Sequence, residues 1–300
     1  MIEDKDTTID SKLEQKLNFL LSDDNYVQEY ASFTDGGVAS VCMAANKHGE
    51  RIAVKMARAS ESPDDYNFNV ETLAYEEKIL GMLPFNSNFV YYLGSGTVDG
   101  KLFLAFEPLA IECPQLNGSV ARAISVVSVL ALTLDFLHKK GYCHRDVKPE
   151  NIRGRTASGV MQPVLIDFGS CAPLDIGITP VEIRFYSETV SPHATPPEII
   201  ELIGCRKDRD INIKRDVFGL GCVLYKLLTH EDPYDFKKNE DGHDDAIYCP
   251  SSQLEIRAKN SHVSERLEQV VRLSLEVLSQ RLDMESFYCE LSDCLRDYEQ

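Results

Sequence analysis

The sequence predicts an α+β fold in two lobes: a small β-rich N-terminal lobe with one main helix, and a larger α-helical C-terminal lobe. Three observations carry this. Short β-prone runs separated by turn signals fill the chain up to Pro108, with one helical stretch among them. Beyond Pro108, long apolar stretches of helical character take over. The chain has 300 residues, 43% of them hydrophobic, which is enough for one large domain or two lobes around a sizeable core.

The elements follow in order. Tyr26–Phe33 and Val38–Asn46 are β-prone and flank Asp35-Gly36-Gly37, a strong hairpin signal. A second turn at Asn46-Lys47-His48-Gly49 leads to a strand at Arg51–Met56. The spacing predicts a helix over Val70–Leu83, with Leu73, Leu80 and Leu83 on its apolar face and Pro84 ending it. Strands follow at Phe89–Gly94 and Leu102–Phe106, joined by a turn at Asp99-Gly100. The joint between lobes falls near Glu107–Cys113. The second lobe opens on a long helix, Ser119–Lys140, stopped by Gly141. Short strands are expected around Ile152 and at Val164–Ile166, then a long irregular stretch, Gly169–Pro197. Helices are expected at Asp216–Thr229, Val263–Leu278 and Met284–Tyr298, with a polar acidic loop, Lys237–Asp245, after the first. Ahead of all this, Leu13, Leu17, Leu20 and Leu21 share one face of a short helix that Asp10 or Ser11 caps. Its expected role is packing on the small lobe, ahead of docking or dimerisation.

Charge narrows the partners. Lys+Arg 31 against Asp+Glu 48 gives a formal net charge of −17. No basic run offsets it, so nucleic acid and anionic lipid are unfavourable partners, and basic proteins are favoured ones. No stretch of spanning length is apparent, so no membrane helix is expected. The opening MIEDKDTTID is acidic and lacks an apolar core, so no secretory signal is expected either. Nine cysteines are scattered without a CxxC pair. They read as reduced, mostly buried small hydrophobes in a cytoplasmic protein. His243-Asp244-Asp245 reads as a solvated charge run rather than a metal site.

The chemistry concentrates in His144-Arg145-Asp146-Val147-Lys148-Pro149-Glu150-Asn151, just after a long helix. An aspartate accepts a proton from a hydroxyl, a lysine neutralises a phosphate, and an asparagine offers a neutral oxygen to a hard metal. Sixteen residues beyond Asn151 stands Asp167, in Ile166-Asp167-Phe168-Gly169, at the end of an apolar strand. Asp167 and Asn151 together suit Mg²⁺, which keeps several waters and bridges phosphate oxygens. Upstream, Ala53-Val54-Lys55 places one lysine in an apolar strand. A buried ammonium needs a partner, and the predicted helix offers Glu76 or Glu77. Glu76 shares a face with Leu73, Leu80 and Leu83, which favours it.

Together these segments resemble the eukaryotic-type (Hanks-type) serine/threonine protein kinases, from about Tyr26 to the C-terminus. HRDVKPEN is similar to that family's catalytic loop, DFG to its metal-binding motif and AVK to its strand-three lysine. Pro196-Pro197-Glu198 stands where the family has Ala-Pro-Glu, and Asp216-Val217-Phe218-Gly219-Leu220-Gly221 resembles the helix that follows. Aminoglycoside-type small-molecule kinases share the two-lobe plan but usually lack this combination. The resemblance implies a bilobal protein-kinase-like fold, with an extension at residues 1–24 and a kinase domain at 25–300, divided into lobes 25–108 and 109–300. It implies ATP and Mg²⁺ as cofactors and a protein substrate. Asp146 would orient or deprotonate the substrate hydroxyl, Lys148 would stabilise the transferring γ-phosphate, and Lys55, held by Glu76, would grip the α/β-phosphates. Glu107 and Leu109 would present a carbonyl and an N–H to adenine, with Val41 and Ala53 as the roof and Phe106 at the back of the pocket. Arg281 would pair with Glu198. Lys148 and Ser191-Pro192 resemble the serine/threonine branch.

Two departures stand out. Of the family's glycine-rich loop only Gly36 fills a glycine position; Thr34 and Ala39 replace the others, and the adjacent Gly37 restores some freedom. Arg153 stands where the resemblance implies an apolar floor for adenine. Either its stem lies under the base with the head outward, or it narrows the pocket or alters base preference. Intact Lys55, Asp146, Lys148, Asn151 and Asp167 favour an active serine/threonine protein kinase; Thr34 and Arg153 point, with less weight, to the rival, a pseudokinase acting as a nucleotide-binding or scaffold module. The long stretch before Pro197 is expected to be an activation loop, with Arg145 receiving a phosphate from Thr179, Ser187, Thr189 or, least favoured, Ser191.

Overall fold

The structure is a computed structural model. It describes residues 26–35, 39–46, 51–58, 60, 62–98, 101–109, 111–157, 159–174, 195–197, 209–238 and 244–298. The leucine-bearing helix expected before Asp24 lies outside these residues, as do Gly36, Gly37, Glu198, His243 and the phosphorylation candidates. The chain forms two compact units, Met1–Leu83 with Val90–Leu109, and Pro84–Phe89 with Ala110–Gln300.

The first unit is built on a five-stranded antiparallel sheet. Its strands are β1 (Tyr26–Asp35), β2 (Ala39–Asn46), β3 (Arg51–Ala57), β4 (Tyr92–Val98) and β5 (Lys101–Phe106), in the order β1-β2-β3-β5-β4. Alternation in β3 sorts its side chains onto two faces. Ile52, Val54 and Met56 bury themselves with Cys42 and Ala44 in one apolar cluster. Ala53 and Lys55 point to the other face. The strand expected at Phe89–Gly94 begins instead at Tyr92, while Phe89 belongs to the second unit and bridges Leu165 there as an isolated pair.

One helix, α1 (Pro63–Met82), packs on this sheet. It starts at Pro63 rather than Val70. Ser62 caps it, accepting from the Asp65 N–H at 3.4 Å, and Pro63 opens the first turn, where its missing N–H costs nothing. Its buried stripe is Phe68, Asn69, Thr72, Leu73, Glu76 and Ile79. Ile79 rather than Leu80 continues the apolar face.

The second unit is mainly helical. α2 (Val120–Lys139) is capped by Ser119, whose hydroxyl accepts from the Arg122 N–H at 3.1 Å. It ends before Gly141, whose φ of +88° suits glycine. α3 (Arg209–Thr229) is apolar almost all round from Val217 to Leu228 and is the buried centre of the unit. A short α4 (Ile256–Lys259), then α5 (Glu265–Ser274) and α6 (Met284–Tyr298) complete it. α5 stops at Ser274, short of the expected Leu278.

Small sheets serve this unit. β6 (Ile111–Glu112), β8 (Ile152–Ala157) and β9 (Val160–Leu165) form one, and β7 (Tyr142–Cys143) pairs with β10 (Ala172–Pro173). The polar loop expected at Lys237–Asp245 is corrected to a hairpin of β11 (Asp235–Lys238) and β12 (Asp244–Ile247). In the register of this antiparallel pair Lys237 stands opposite Asp245 and Lys238 opposite Asp244, so both ends of the run expected as loop are strand.

A second correction concerns membrane spans. Val120–Lys139 is long and apolar enough to cross a membrane by length and composition. Its apolar residues are spent on packing: Ile124, Val127, Leu130, Leu134 and Leu137 are fully buried, and α2 contacts α3 and α6. All eight cysteines among the described residues are free thiols. Burial pushes the Cys143 thiol up to about 12, which leaves it an inert core group.

Candidate active site

In the first unit, β3 and α1 bring one ion pair together. Lys55 Nζ lies 2.7 Å from Glu76 Oε2, and both side chains are largely buried. The strand's alternation turns Lys55 towards α1, and the helix period places Glu76 on its buried stripe. Each charge satisfies the other where water is scarce. Glu77 has another task, accepting a hydrogen bond from the Ser95 hydroxyl. Val41 is the register partner of Lys55, and Phe106 that of Ala53. One sheet face therefore carries Val41, Ala53, Lys55 and Phe106.

The segment after β5 is held by Glu107. Its N–H donates to the Tyr91 carbonyl at 3.0 Å, and its Oε1 accepts from the Tyr91 N–H at 2.8 Å. Leu109 is half-buried, and its N–H has no hydrogen-bond partner among the described residues.

In the second unit, the loop after β7 gathers three side chains. Asp146 Oδ2 lies 2.9 Å from Lys148 Nζ and accepts from Asn151 Nδ2 at 2.7 Å. Asn151 Nδ2 also donates to the Asp146 carbonyl at 2.9 Å. Burial alone would lower the Lys148 pKa; the carboxylate of Asp146 overrides it and holds the ammonium above its ordinary range. Lys148 is therefore a fixed positive charge beside Asp146.

A buried histidine ties this loop to the strand leading to Asp167. The Asp146 N–H donates to His144 Nδ1 at 3.3 Å, and His144 Nε2 faces the Ile166 carbonyl at 3.2 Å. With Nδ1 accepting, Nε2 must carry the proton and donate. The ring is then neutral, as its burial demands: desolvation holds its pKa below the ordinary range against the pull of Asp216. The Ile166 N–H donates to the Asn151 carbonyl at 2.9 Å, a second tie. Phe168 is buried, its ring edge-on to His144 at 5.2 Å and to Phe89 at 5.1 Å.

The backbone is strained where the chemistry sits. Arg145 has φ +72° and Asp167 φ +61°, both in the left-handed region. Each such residue costs about 1–3 kcal/mol, so the surroundings must hold it. For Arg145 the restraint is Asp216. Its Oδ2 accepts from the His144 N–H at 2.9 Å and its Oδ1 from the Arg145 N–H at 2.7 Å. His138 Nε2 approaches Oδ2 at 2.8 Å. Burial would raise the Asp216 pKa; the bonds from His138 and from the His144 backbone outweigh it and hold the carboxyl below its usual range. α3 presses on the same loop at Gly219, where a Cβ would meet the Val147 carbonyl oxygen at 2.5 Å. Asp216 and His138 are positioning residues that motif reading missed. The available signal was an arginine and an aspartate, Arg215 and Asp216, directly ahead of the apolar run that begins at Val217, since buried charges need partners.

The oxygen donors fit a hard cation. The Asn151 amide nitrogen is committed to Asp146, which leaves its carbonyl oxygen for a metal, and Asp167 adds a carboxylate that accepts from the Gly169 N–H at 3.2 Å. No group of three or more His, Cys, Asp or Glu suited to a metal occurs among the described residues. One carboxylate with one neutral oxygen matches Mg²⁺, which fills its shell with water and phosphate oxygens, and does not match zinc.

Arg153 lies half-buried on β8, opposite Glu112 on one side and the buried Val164 on the other. Arg281 donates to the Lys214 and Glu276 carbonyls and stacks over the Phe218 ring at 4.9 Å. It buttresses α3; its expected partner Glu198 is outside the described residues.

A β-rich unit with a Lys–Glu pair, and a helical unit with Asp-Lys-Asn beside Asp-Phe-Gly, define the kinase class of phosphotransferases. The comparisons agree: the family model described as the protein kinase domain matches residues 28–288. The chain belongs to the protein kinase family. Its curated relatives include "Serine/threonine-protein kinase PknJ" of Mycobacterium tuberculosis, 29% identical over 212 residues, 66% of this chain and 33% of the relative. "Dual specificity tyrosine-phosphorylation-regulated kinase 3" of Rattus norvegicus is 34% identical over 154 residues, 47% of this chain and 23% of the relative. "Serine/threonine-protein kinase 16" of Homo sapiens is 32% identical over 153 residues, 48% of this chain and 46% of the relative. In each case the match spans less than half of the relative's length.

Proposed function

We propose that this chain is an active serine/threonine protein kinase that transfers the γ-phosphate of ATP to hydroxyls of protein substrates. The observation that carries the reading is the bonded set Asp146–Lys148–Asn151, closed at 2.9 and 2.7 Å. The substrate hydroxyl oxygen attacks the γ-phosphorus as the bond to the β,γ-bridging oxygen breaks and ADP leaves. Asp146 accepts the hydroxyl proton, and Lys148 offsets charge on the transferring group. Lys55, held by Glu76, engages the α/β-phosphates, and the Leu109 N–H is a donor for the base. Asn151 and Asp167 would hold Mg²⁺, which neutralises phosphate charge when bound. Positioning and charge stabilisation account for most of the barrier lowering in such chemistry. PknJ and kinase 16 are named for serine/threonine activity, which supports the hydroxyl class. The net charge of −17 supports basic protein substrates.

The test is phosphate transfer from ATP with Mg²⁺ to a mixed panel of basic and acidic proteins, comparing wild type with Asp146→Ala and Asp167→Ala. We expect phosphoserine or phosphothreonine from the wild type, and a loss of at least about 10²-fold in each variant, the scale of a lost general base or charge stabiliser. Transfer that survives Asp146→Ala overturns the assigned roles. No transfer from folded wild type, with nucleotide binding intact, overturns the enzyme in favour of a binding module.

A further inference from the structure

The two faces of the first unit's sheet are covered differently. The Lys55–Glu76 pair places α1 on one face, together with Leu104, the register partner of Lys55. The opposite face is apolar across three strands. It carries Cys42 and Ala44 on β2, Ile52, Val54 and Met56 on β3, and Phe103 and Ala105 on β5. Val54 stands at its centre, between Cys42 and Ala105 in register. These two side chains are too short to close over it. The Phe103 ring lies over Gly96 of β4, where a Cβ would meet it at 2.6 Å, so it points away from Val54. β1 is two strands distant. A face open to water would leave its central residues partly exposed, yet Val54 is 0% exposed, Cys42 1% and Ala44 2%. Some part of the chain therefore covers this face.

Among the described residues of this unit α1 is the one helix, and it lies on the other face. The unit's loop segments, such as Lys47-His48-Gly49-Glu50 and Asp99-Gly100, are short and polar. The segment ahead of β1, which belongs to the same unit, is neither. Its Leu13, Leu17, Leu20 and Leu21 recur at the spacing of one helical face. A helix over residues 11–21 is about 16 Å long. The apolar patch is about 10 Å across its three strands and about 13 Å from Ile52 to Met56, so the two match in size. A helix this short is marginal in water and needs a surface to form on. Ser22-Asp23-Asp24-Asn25 spans up to about 14 Å. Tyr26 then enters β1 opposite Asn46, at the end of β2 next to Ala44, so a return over β2 is within reach.

We propose that residues 11–21 dock as an amphipathic helix on the sheet face opposite α1, with their leucines sealing Cys42, Val54 and Met56 from water. The sheet is then held between two helices, one on each face. β3 carries Lys55 on the side away from this cover, so the same strand is braced from behind. The docking stands or falls independently of phosphoryl transfer.

Cys42 is a built-in reporter of the cover. Burial pushes its thiol up to about 11, so alkylation requires the face to be opened. The whole chain is treated with iodoacetamide under native conditions, and labelling is timed at each cysteine by peptide mass spectrometry. Cys289, which is exposed, shows that the reagent acts, and Cys222, buried in the second unit, reports global opening. The variants are Leu17→Asp with Leu20→Asp, on the apolar face, and Gln15→Glu, on the opposite one. We expect the double variant to label Cys42 at least tenfold faster with Cys222 unchanged, and Gln15→Glu to behave as wild type. A second measurement holds if the double variant exposes Cys222 as well. Leu17→p-benzoylphenylalanine is irradiated in the otherwise unaltered chain, and cross-links to β2, β3 or β5 of the same chain are expected. Rapid labelling of Cys42 in wild type, unchanged protection in the double variant, or cross-links elsewhere overturns the proposal. So does protection that fades on dilution, or a cross-link between chains, either of which assigns the cover to a second copy.

Discussion

Asp216 shows how one carboxylate can shape a loop it does not belong to. It has almost no exposed surface and collects the His144 and Arg145 backbone N–H groups together with the His138 ring. Arg145 would otherwise leave its left-handed conformation, and Asp146 would lose its aim. Asp216→Ala removes the acceptor and leaves both N–H groups buried without one. The expected loss is about 3–5 kcal/mol, the range for breaking a buried charged pair, read as a lowered denaturation midpoint in urea. Asp216→Asn restores one acceptor and is expected to recover part of the midpoint. Equal midpoints for wild type and Asp216→Ala would show that the loop is held elsewhere.

At the scale of elements, caps and close approaches set where helices begin and how near they lie. Ser119 is the side-chain cap of α2, whose buried residues make it a main wall of the second unit. Ser119→Ala is expected to cost about 1 kcal/mol, visible in the same unfolding curve, with Ser119→Asp restoring it. Gly219 is a stricter requirement, because α3 lies against the Val147 carbonyl there. Several boundaries were not legible from periodicity. α1 begins at Pro63 because a cap and a proline start it, ahead of the first apolar repeat. β11 and β12 escaped notice because two of their four register pairs, Lys237–Asp245 and Lys238–Asp244, are made of charged residues, which in sequence look like a solvated run. The α2 pattern reached spanning length because α3, α6, β7 and β9 all pack against it, so more than one of its faces is buried.

Across the whole molecule, the buried network predicts how stability varies with pH. His144 is held neutral and Asp216 charged, so both have a folded pKa below the unfolded one. On the acid side the unfolded chain binds more protons, and stability falls as pH falls. The His144 contribution is complete above about pH 6.5 and is lost below it; that of Asp216 is lost lower, below about pH 3.9. The melting temperature is therefore expected to drop first as pH falls through the histidine range and again near the carboxylate range. His144→Gln should remove the first drop and keep the second. An unchanged first drop in that variant would place the proton uptake on another group.

By itself the sequence determined the family-level chemistry and the fold class. Those signals are local: Asp146, Lys148 and Asn151 lie within six residues, Asp167 follows at the end of an apolar strand, and alternation orients Lys55. Helix period narrowed the partner of Lys55 to Glu76 or Glu77 and favoured Glu76. Only the tertiary structure decided which glutamate lies beside the ammonium, since that depends on how α1 seats on β3. It alone joined Asp216 to a loop 71 residues earlier. Such contacts follow from helices packing to bury apolar surface, and no spacing within one segment encodes them.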